Sequence, residues 1–128
     1  MSTRLDDLHP DFRRQAVEVL AQLLEEGITV KIICTGRTAA EQDAAVNRGA
    51  SKVAHSRHQD GMAIDLCPYH TWALEGPDKL SWDAKNPGFD AIGRIGEKLG
   101  LRWGGRFGES SPGVGDGWDR GHLQMPDV

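Results

Sequence analysis

A chain of 128 residues buries most of the surface its unfolded form exposes, which is enough for one hydrophobic core and hardly for two. Its hydrophobic fraction of 38% and charged fraction of 27% are those of a globular domain, and a net charge of -4 gives no general attraction to nucleic acid or anionic membranes. No basic leader with an apolar stretch opens the sequence, and there is no membrane segment of about 18 apolar residues, so the expected place of synthesis is the cytoplasm, without a signal peptide.

The first expected element is an amphipathic helix from about Pro10 to Glu26. Phe12, Ala16, Val19, Leu20, Leu23 and Leu24 recur at helical spacing, Pro10 suits the first turn and Gly27 suits the stop. Ile28 to Cys34 is apolar and rich in β-branched residues, the composition of a strand. Thr38-Ala39-Ala40-Glu41 has the form of a capping box and predicts a short helix to about Arg48. Residues 49 to 60 read as a loop feeding a strand over Met62 to Leu66. The stretch from Pro68 to Gly88 reads as an irregular insertion, a common place for substrate-binding variation. Phe89, Ile92, Ile95 and Leu99 mark a third helix ended by Gly100. Arg102-Trp103 opens a strand, Gly104 to Gly117 is a glycine-rich loop, and Gly121 to Met125 closes the sheet. The expected fold is α+β: one compact domain over residues 1–128, with about three helices against a small, mostly antiparallel sheet. Cys34 and Cys67 lie in apolar strand-like runs, so buried free thiols are the default expectation and a disulfide is the alternative.

Two motifs carry chemistry: Ser56-Arg57-His58-Gln59-Asp60-Gly61-Met62-Ala63-Ile64-Asp65, and Asp119-Arg120-Gly121-His122 near the C-terminus. His58 and Asp65 are seven apart, so on one uninterrupted strand they would point to opposite faces. Asp60-Gly61 supplies the bend that lets them meet. From Met62 onward the text alternates, with Met62, Ile64 and Leu66 toward a core and Ala63, Asp65 and Cys67 on the other face. Asp119 and His122 also have opposite parity, with Gly121 between them, while His122 and Gln124 share a face. His58, Asp65 and His122, with a fourth position left to water, have the chemistry of a catalytic zinc site. Asp119, just outside the strand, is placed to touch that water without being a ligand. Either motif alone arises often by chance, since His and Asp are common surface residues. Their conjunction is much less common.

These residues resemble the D-alanyl-D-alanine carboxypeptidase and L-alanyl-D-glutamate endopeptidase group of zinc peptidases (family M15), which includes small phage endolysins. The family pattern is S-x-H-x-x-G-x-A-x-D followed by [ED]-x-x-H; Ser56, His58, Gly61, Ala63 and Asp65 fill the first, and Asp119 and His122 the second. Thr35-Gly36-Arg37-Thr38 with Glu41-Gln42 is similar to the family's S-G-x-R-[ST]-x-x-x-Q element, one residue shorter between Gly and Arg. Gly49-Ala50-Ser51-Lys52 with Ser56-Arg57-His58, and Arg102-Trp103-Gly104-Gly105, resemble runs of the phage L-alanyl-D-glutamate branch. Arg106 stands where these relatives commonly carry Asp, and Leu123-Gln124 where they commonly carry Phe-Glu.

The resemblance implies one zinc ion on His58, Asp65 and His122, with Asp119 as the base. Arg37 is the candidate for an oxyanion or substrate carboxylate, because guanidinium binds such groups in bidentate fashion; a surface ion pair with Glu41 is the alternative. Ser56, Arg57, Gln42 and Trp103 are candidate substrate contacts, with Trp103 as core or pocket wall and solvated charge as the commoner fate of Arg57 and Lys52. Ser56 is not a nucleophile, since no base accompanies it. His9, His55 and His70 have no partner motif; among them His55 is the close rival of His58. The implied fold is of the hedgehog and D,D-peptidase kind, and the partner is the stem peptide of bacterial peptidoglycan, cut by a monomer. An endolysin without a separate wall-binding domain would be made in the host cytoplasm and act after release across the inner membrane. D,D-carboxypeptidase or dipeptidase activity is the nearest competitor, and a wall-binding module stabilised by its metal is the non-enzymatic alternative. No G-x-x-x-x-G-K-[ST] loop or dinucleotide turn supports phosphate chemistry.

Overall fold

The computed structural model describes residues 1–49, 56–69, 80–83, 85–107 and 119–126. Lys52, His55, His70, most of the expected insertion and most of the glycine-rich loop lie outside the described residues. Helix α1 spans Pro10–Glu25. His9 caps it, its Nδ1 accepting the Asp11 amide at 3.2 Å, and one face buries Phe12, Ala16, Val19 and Leu23. At its end the amides of Gly27 and Ile28 turn back to the carbonyls of Leu24 and Leu23, both at 2.9 Å, the paired closure of a Schellman motif. That closure commits Ile28 to the helix end. Strand β1 therefore runs Val30–Cys34 and not from Ile28.

Helix α2, Ala39–Asn47, starts at the expected capping box: Thr38 Oγ1 accepts the Glu41 amide at 3.1 Å and Glu41 Oε1 accepts the Thr38 amide at 2.9 Å. Strand β2 is Ala63–Pro68. Helix α3, Pro87–Lys98, begins two residues before the expected Phe89, because Asn86 Oδ1 accepts the Gly88 amide at 2.8 Å and Pro87 occupies the first turn. Asn-Pro is a helix-start signal that the composition of the surrounding segment conceals. Strand β3 is Arg102–Trp103 and β4 is His122–Gln124.

The four strands form one antiparallel sheet in the order β1-β2-β4-β3. Helices α1 and α3 pack on each other, and α3 also packs on β2, β3 and β4. Phe12, Val19, Leu23, Ile92 and Ile95 meet Ile64, Leu66 and Leu123 of the sheet in the core. Strand alternation then turns Asp65 and His122 to the other face. The two domain halves of the sequence meet here, since Asp65 is the register partner of His122 across β2 and β4. Cys34 and Cys67 are buried free thiols, and the disulfide alternative is excluded by register, with Cys67 opposite Lys31 and Cys34 opposite Asp65. Among the described residues no helix is long and apolar enough to cross a membrane.

Candidate metal centre

His58 stands on a 3-10 turn, Arg57–Asp60, inside the stretch expected to be loop. Ser56 Oγ accepts the His58 amide at 3.2 Å, and Gln59 Oε1 accepts the Ser56 amide at 2.9 Å. This Ser-x-x-Gln box is a helix-start pattern legible in the sequence, and it spends the Ser56 hydroxyl on aiming His58. Gly61 then takes φ +71°, the left-handed conformation expected of the bend, and the chain enters β2 toward Asp65.

Gly121 works differently from the expectation. Its φ is not positive, but a Cβ there would lie 2.1 Å from the Leu66 carbonyl oxygen. The position needs glycine for close approach of β2, where Leu66 N donates to Gly121 O at 2.8 Å. On the adjoining turn His122 N donates to Asp119 O at 3.1 Å.

The Asp65 carboxylate is the hub. Its Oδ1 is 2.7 Å from His122 Nδ1 and its Oδ2 is 3.0 Å from His58 Nε2. The two imidazoles meet edge to face with centroids 5.1 Å apart, and Asp119 Oδ2 is 3.6 Å from His122 Nδ1. Two groups of donor atoms lie within 4.8 Å of one another, Asp65 with Asp119 and His122, and Asp65 with Cys34 and His58. The three expected ligands are thus gathered on one carboxylate, one imidazole at each oxygen.

Burial by itself would raise the Asp65 carboxyl, but the imidazoles of His122 and His58 outweigh it and hold the group well below the usual carboxylate range. Burial would likewise lower His122, yet Asp65 and then Asp119 raise it. Asp119 is pushed up by burial first and the Asp65 charge second. The Cys34 thiol is pushed up to about 11 by burial and by Asp65.

The donor types suit a divalent cation, with His58 and His122 in two neighbouring donor groups that share Asp65. His122 Nε2 lies 2.8 Å from Gln124 Oε1, so in the neutral ring that nitrogen carries the proton and Nδ1 presents its lone pair to Asp65. The 2.7 Å contact with Asp65 calls for positive charge, supplied by a proton on His122, whose pKa Asp65 raises, or by a cation in its place. His58 Nε2 faces Asp65 Oδ2 at 3.0 Å, while its buried Nδ1 has no hydrogen bond among the described residues, a polar atom that is costly to leave unsatisfied. Imidazole and carboxylate donors are those of zinc. Gln124 thus fixes the orientation of the His122 ring and turns Nδ1 toward Asp65. Gln124→Leu is expected to weaken zinc binding by about 10–100-fold, measured by competition with a chromophoric chelator, while Gln124→Glu retains it. Equal affinity in all three proteins would remove that orienting role.

The expected substrate contacts divide. Arg37 NH1 donates to Gln42 Oε1 at 2.8 Å, and Gln42 is fully buried, so Gln42 supports the guanidinium from beneath. The Arg37 amide donates to His58 O at 3.2 Å, and Arg37, Gly36 and His58 line a cleft of about 460 Å³. Glu41, the alternative partner of Arg37, is instead engaged by the capping box and by the Met1 amine. Arg57 pairs with Asp60 at 3.5 Å. Trp103 belongs to the core rather than to a substrate face: it is 8% exposed, and its indole Nε1 donates to Arg120 O at 2.7 Å. Arg120 lies over the same ring at 5.0 Å and pairs with Asp90. Together with the Asp119 amide on Gly104 O at 3.3 Å, these contacts hold the turn that carries Asp119. Arg106, where relatives carry Asp, pairs with Glu97 on the surface. Cys34 is the neighbour of the site that sequence reading missed, because the β1–β2 register that sets it opposite Asp65 is a tertiary fact.

No curated protein matches the sequence. The structure of the Serratia marcescens L-Ala D-Glu endopeptidase ChiX is similar in fold, with a TM-score of 0.64 and 24% identity over 95% of this chain and 83% of that one. A model of the M15 peptidases, described as D-alanyl-D-alanine carboxypeptidase, matches residues 49–125, more than half of the chain and the part that holds His58, Asp65, Asp119 and His122. On that match the chain belongs to the D-alanyl-D-alanine carboxypeptidase family of M15 peptidases.

Proposed function

We propose that this peptidase is a zinc-dependent endolysin that hydrolyses the L-alanyl-D-glutamate bond of peptidoglycan stem peptides, acting as a monomer. The observation that supports it best is Asp119, a second carboxylate beside the donors His58, Asp65 and His122. A site that only stabilises the fold has no use for that extra carboxylate, which favours the enzyme over a wall-binding module.

A zinc ion held by His58, Asp65 and His122 supplies Lewis-acid polarisation of the scissile carbonyl and lowers the pKa of water toward about 7. Asp119 takes the proton of the attacking water and delivers it to the leaving amine. In the metal-free protein burial and the Asp65 charge raise its pKa, which offsets part of the lowering that a nearby dication would impose on a carboxylate. Arg37, steadied by Gln42 at the rim of the cleft, binds a substrate carboxylate or the developing oxyanion. The choice of the L-alanyl-D-glutamate bond rests on the Ser56-Arg57-His58 and Arg102-Trp103-Gly104-Gly105 runs, and is also the activity named for the Serratia structure.

Purified protein incubated with muropeptides is expected to expose a new D-glutamate amine, read by mass spectrometry. Chelation should abolish the cut and zinc should restore it. Release of terminal D-alanine instead moves the assignment to D,D-carboxypeptidase, the activity in the family description. Absence of any cleavage by the zinc-loaded protein would favour the wall-binding module.

A further inference from the structure

Cys34 takes no part in the chemistry above, yet the bulge between Ile32 and Cys34 sets it opposite Asp65. Its Sγ, a His58 ring nitrogen and an Asp65 oxygen lie within 4.8 Å of one another. A single cation with bonds of about 2.0–2.3 Å needs only a small inward movement of each to be held by all three. The thiol is fully buried and His58 is 3% exposed. His58 adds a sign that a ligand belongs here: Nε2 faces Asp65 Oδ2 at 3.0 Å, and the buried Nδ1 has no hydrogen bond among the described residues. Thiolate sulfur changes what such a site prefers: soft donors select soft cations, whereas carboxylate and imidazole alone discriminate less.

We propose that Cys34, His58 and Asp65 form a second, thiolate-containing metal position, selective for soft divalent cations such as cadmium. The proposal rests on reading His58 and Asp65 as ligands of the zinc position, which it shares. Because two of the three donors are common to both, one ion excludes the other. An ion on the Cys34 side lies with His58 and one oxygen of Asp65, whereas Asp119 and His122 gather at the other grouping, so cadmium there leaves the base without its partner and stops the peptidase. As the sulfur–metal bond forms, the Cys34 thiol gives its proton to solvent and no electron is transferred.

The test uses the full chain freed of metal, with cadmium chloride as the probe. Thiolate-to-cadmium charge-transfer absorption in the ultraviolet should grow to saturation at one ion per chain. It should persist in Cys67→Ala, whose thiol bonds the Ser81 carbonyl at 3.3 Å away from the site, and vanish in Cys34→Ser and Cys34→Ala. Competition with a chromophoric chelator should show cadmium binding roughly tenfold or more weaker in both Cys34 variants, with zinc binding changed less. The serine variant keeps the side-chain size, and circular dichroism checks that each variant is folded. Absence of the band in the parent protein, or its loss in Cys67→Ala with retention in Cys34→Ser, overturns the proposal. If zinc binds at one per chain while cadmium gives no thiolate band, only the second position falls. If neither ion binds, the zinc reading falls and takes this one with it.

Discussion

Asp119→Asn is expected to lower turnover on stem peptides by about 10²–10⁴-fold, the usual contribution of a positioned general acid–base group, while the protein still binds one zinc ion. The expectation follows from position. The carboxylate lies 3.6 Å from His122 Nδ1, farther than the 2.7 Å of Asp65, and belongs to a turn outside β4 held by Gly104, Trp103 and Arg120. Asn keeps the size and the hydrogen-bonding edge but cannot take a proton near neutral pH. Steady-state rates and metal content have to be measured on the same preparation, because Asp119 also falls within the 4.8 Å grouping of Asp65 and His122. A variant that loses its zinc along with its activity would make Asp119 a ligand and leave the base unassigned. Loss of rate with full metal occupancy keeps the division of labour between the three ligands and Asp119.

Gly121→Ala is expected to destabilise the protein by about 2–4 kcal/mol. The added methyl would stand 2.1 Å from the Leu66 carbonyl oxygen, a backbone atom in the middle of β2 that cannot swing aside. Relief requires β2 and the 119–122 turn to separate, which lengthens the Leu66–Gly121 bond of 2.8 Å and moves His122 away from Asp65. Urea unfolding should show a lower midpoint with an unchanged slope, and zinc affinity should fall in the same variant because the ligands sit on the two strands being forced apart. An unaltered midpoint would mean that the two strands are not as close as described. The pairing of the two readouts separates this site-linked glycine from a core position, where stability would drop and the intrinsic affinity of the folded protein would stay.

Much of this molecule is legible along the chain because it is built from local interactions. The apolar stripe of α1 at Phe12, Ala16, Val19 and Leu23, the Thr38–Glu41 capping box and the left-handed bend at Gly61 each depend on residues a few positions apart, and each is where the sequence places it. The Asn86 cap of helix α3 and the Ser56–Gln59 box are equally local, and loop-like neighbours conceal both. The candidate ligands His58, Asp65 and His122 and the adjoining Asp119 are legible for another reason, since a metal site requires particular donor types and these stand at the spacing of the family pattern they resemble.

What the order of residues does not contain is which of them become neighbours across the sheet. The antiparallel register that makes Asp65 the partner of both His122 and Cys34 brings a sulfur donor to the site. The burial of Trp103 and Gln42, expected near substrate, turns them into supports for Asp119 and Arg37. Gly121 is needed for the approach of a strand far away in sequence rather than for its own dihedral freedom. Donor chemistry and local backbone preference are properties of short segments, so the sequence by itself determined the candidate donors and the helices. Register and burial are set only when the core of α1, α3 and the sheet closes, and that packing decided which neighbours the ligands have and which side chains face the cleft.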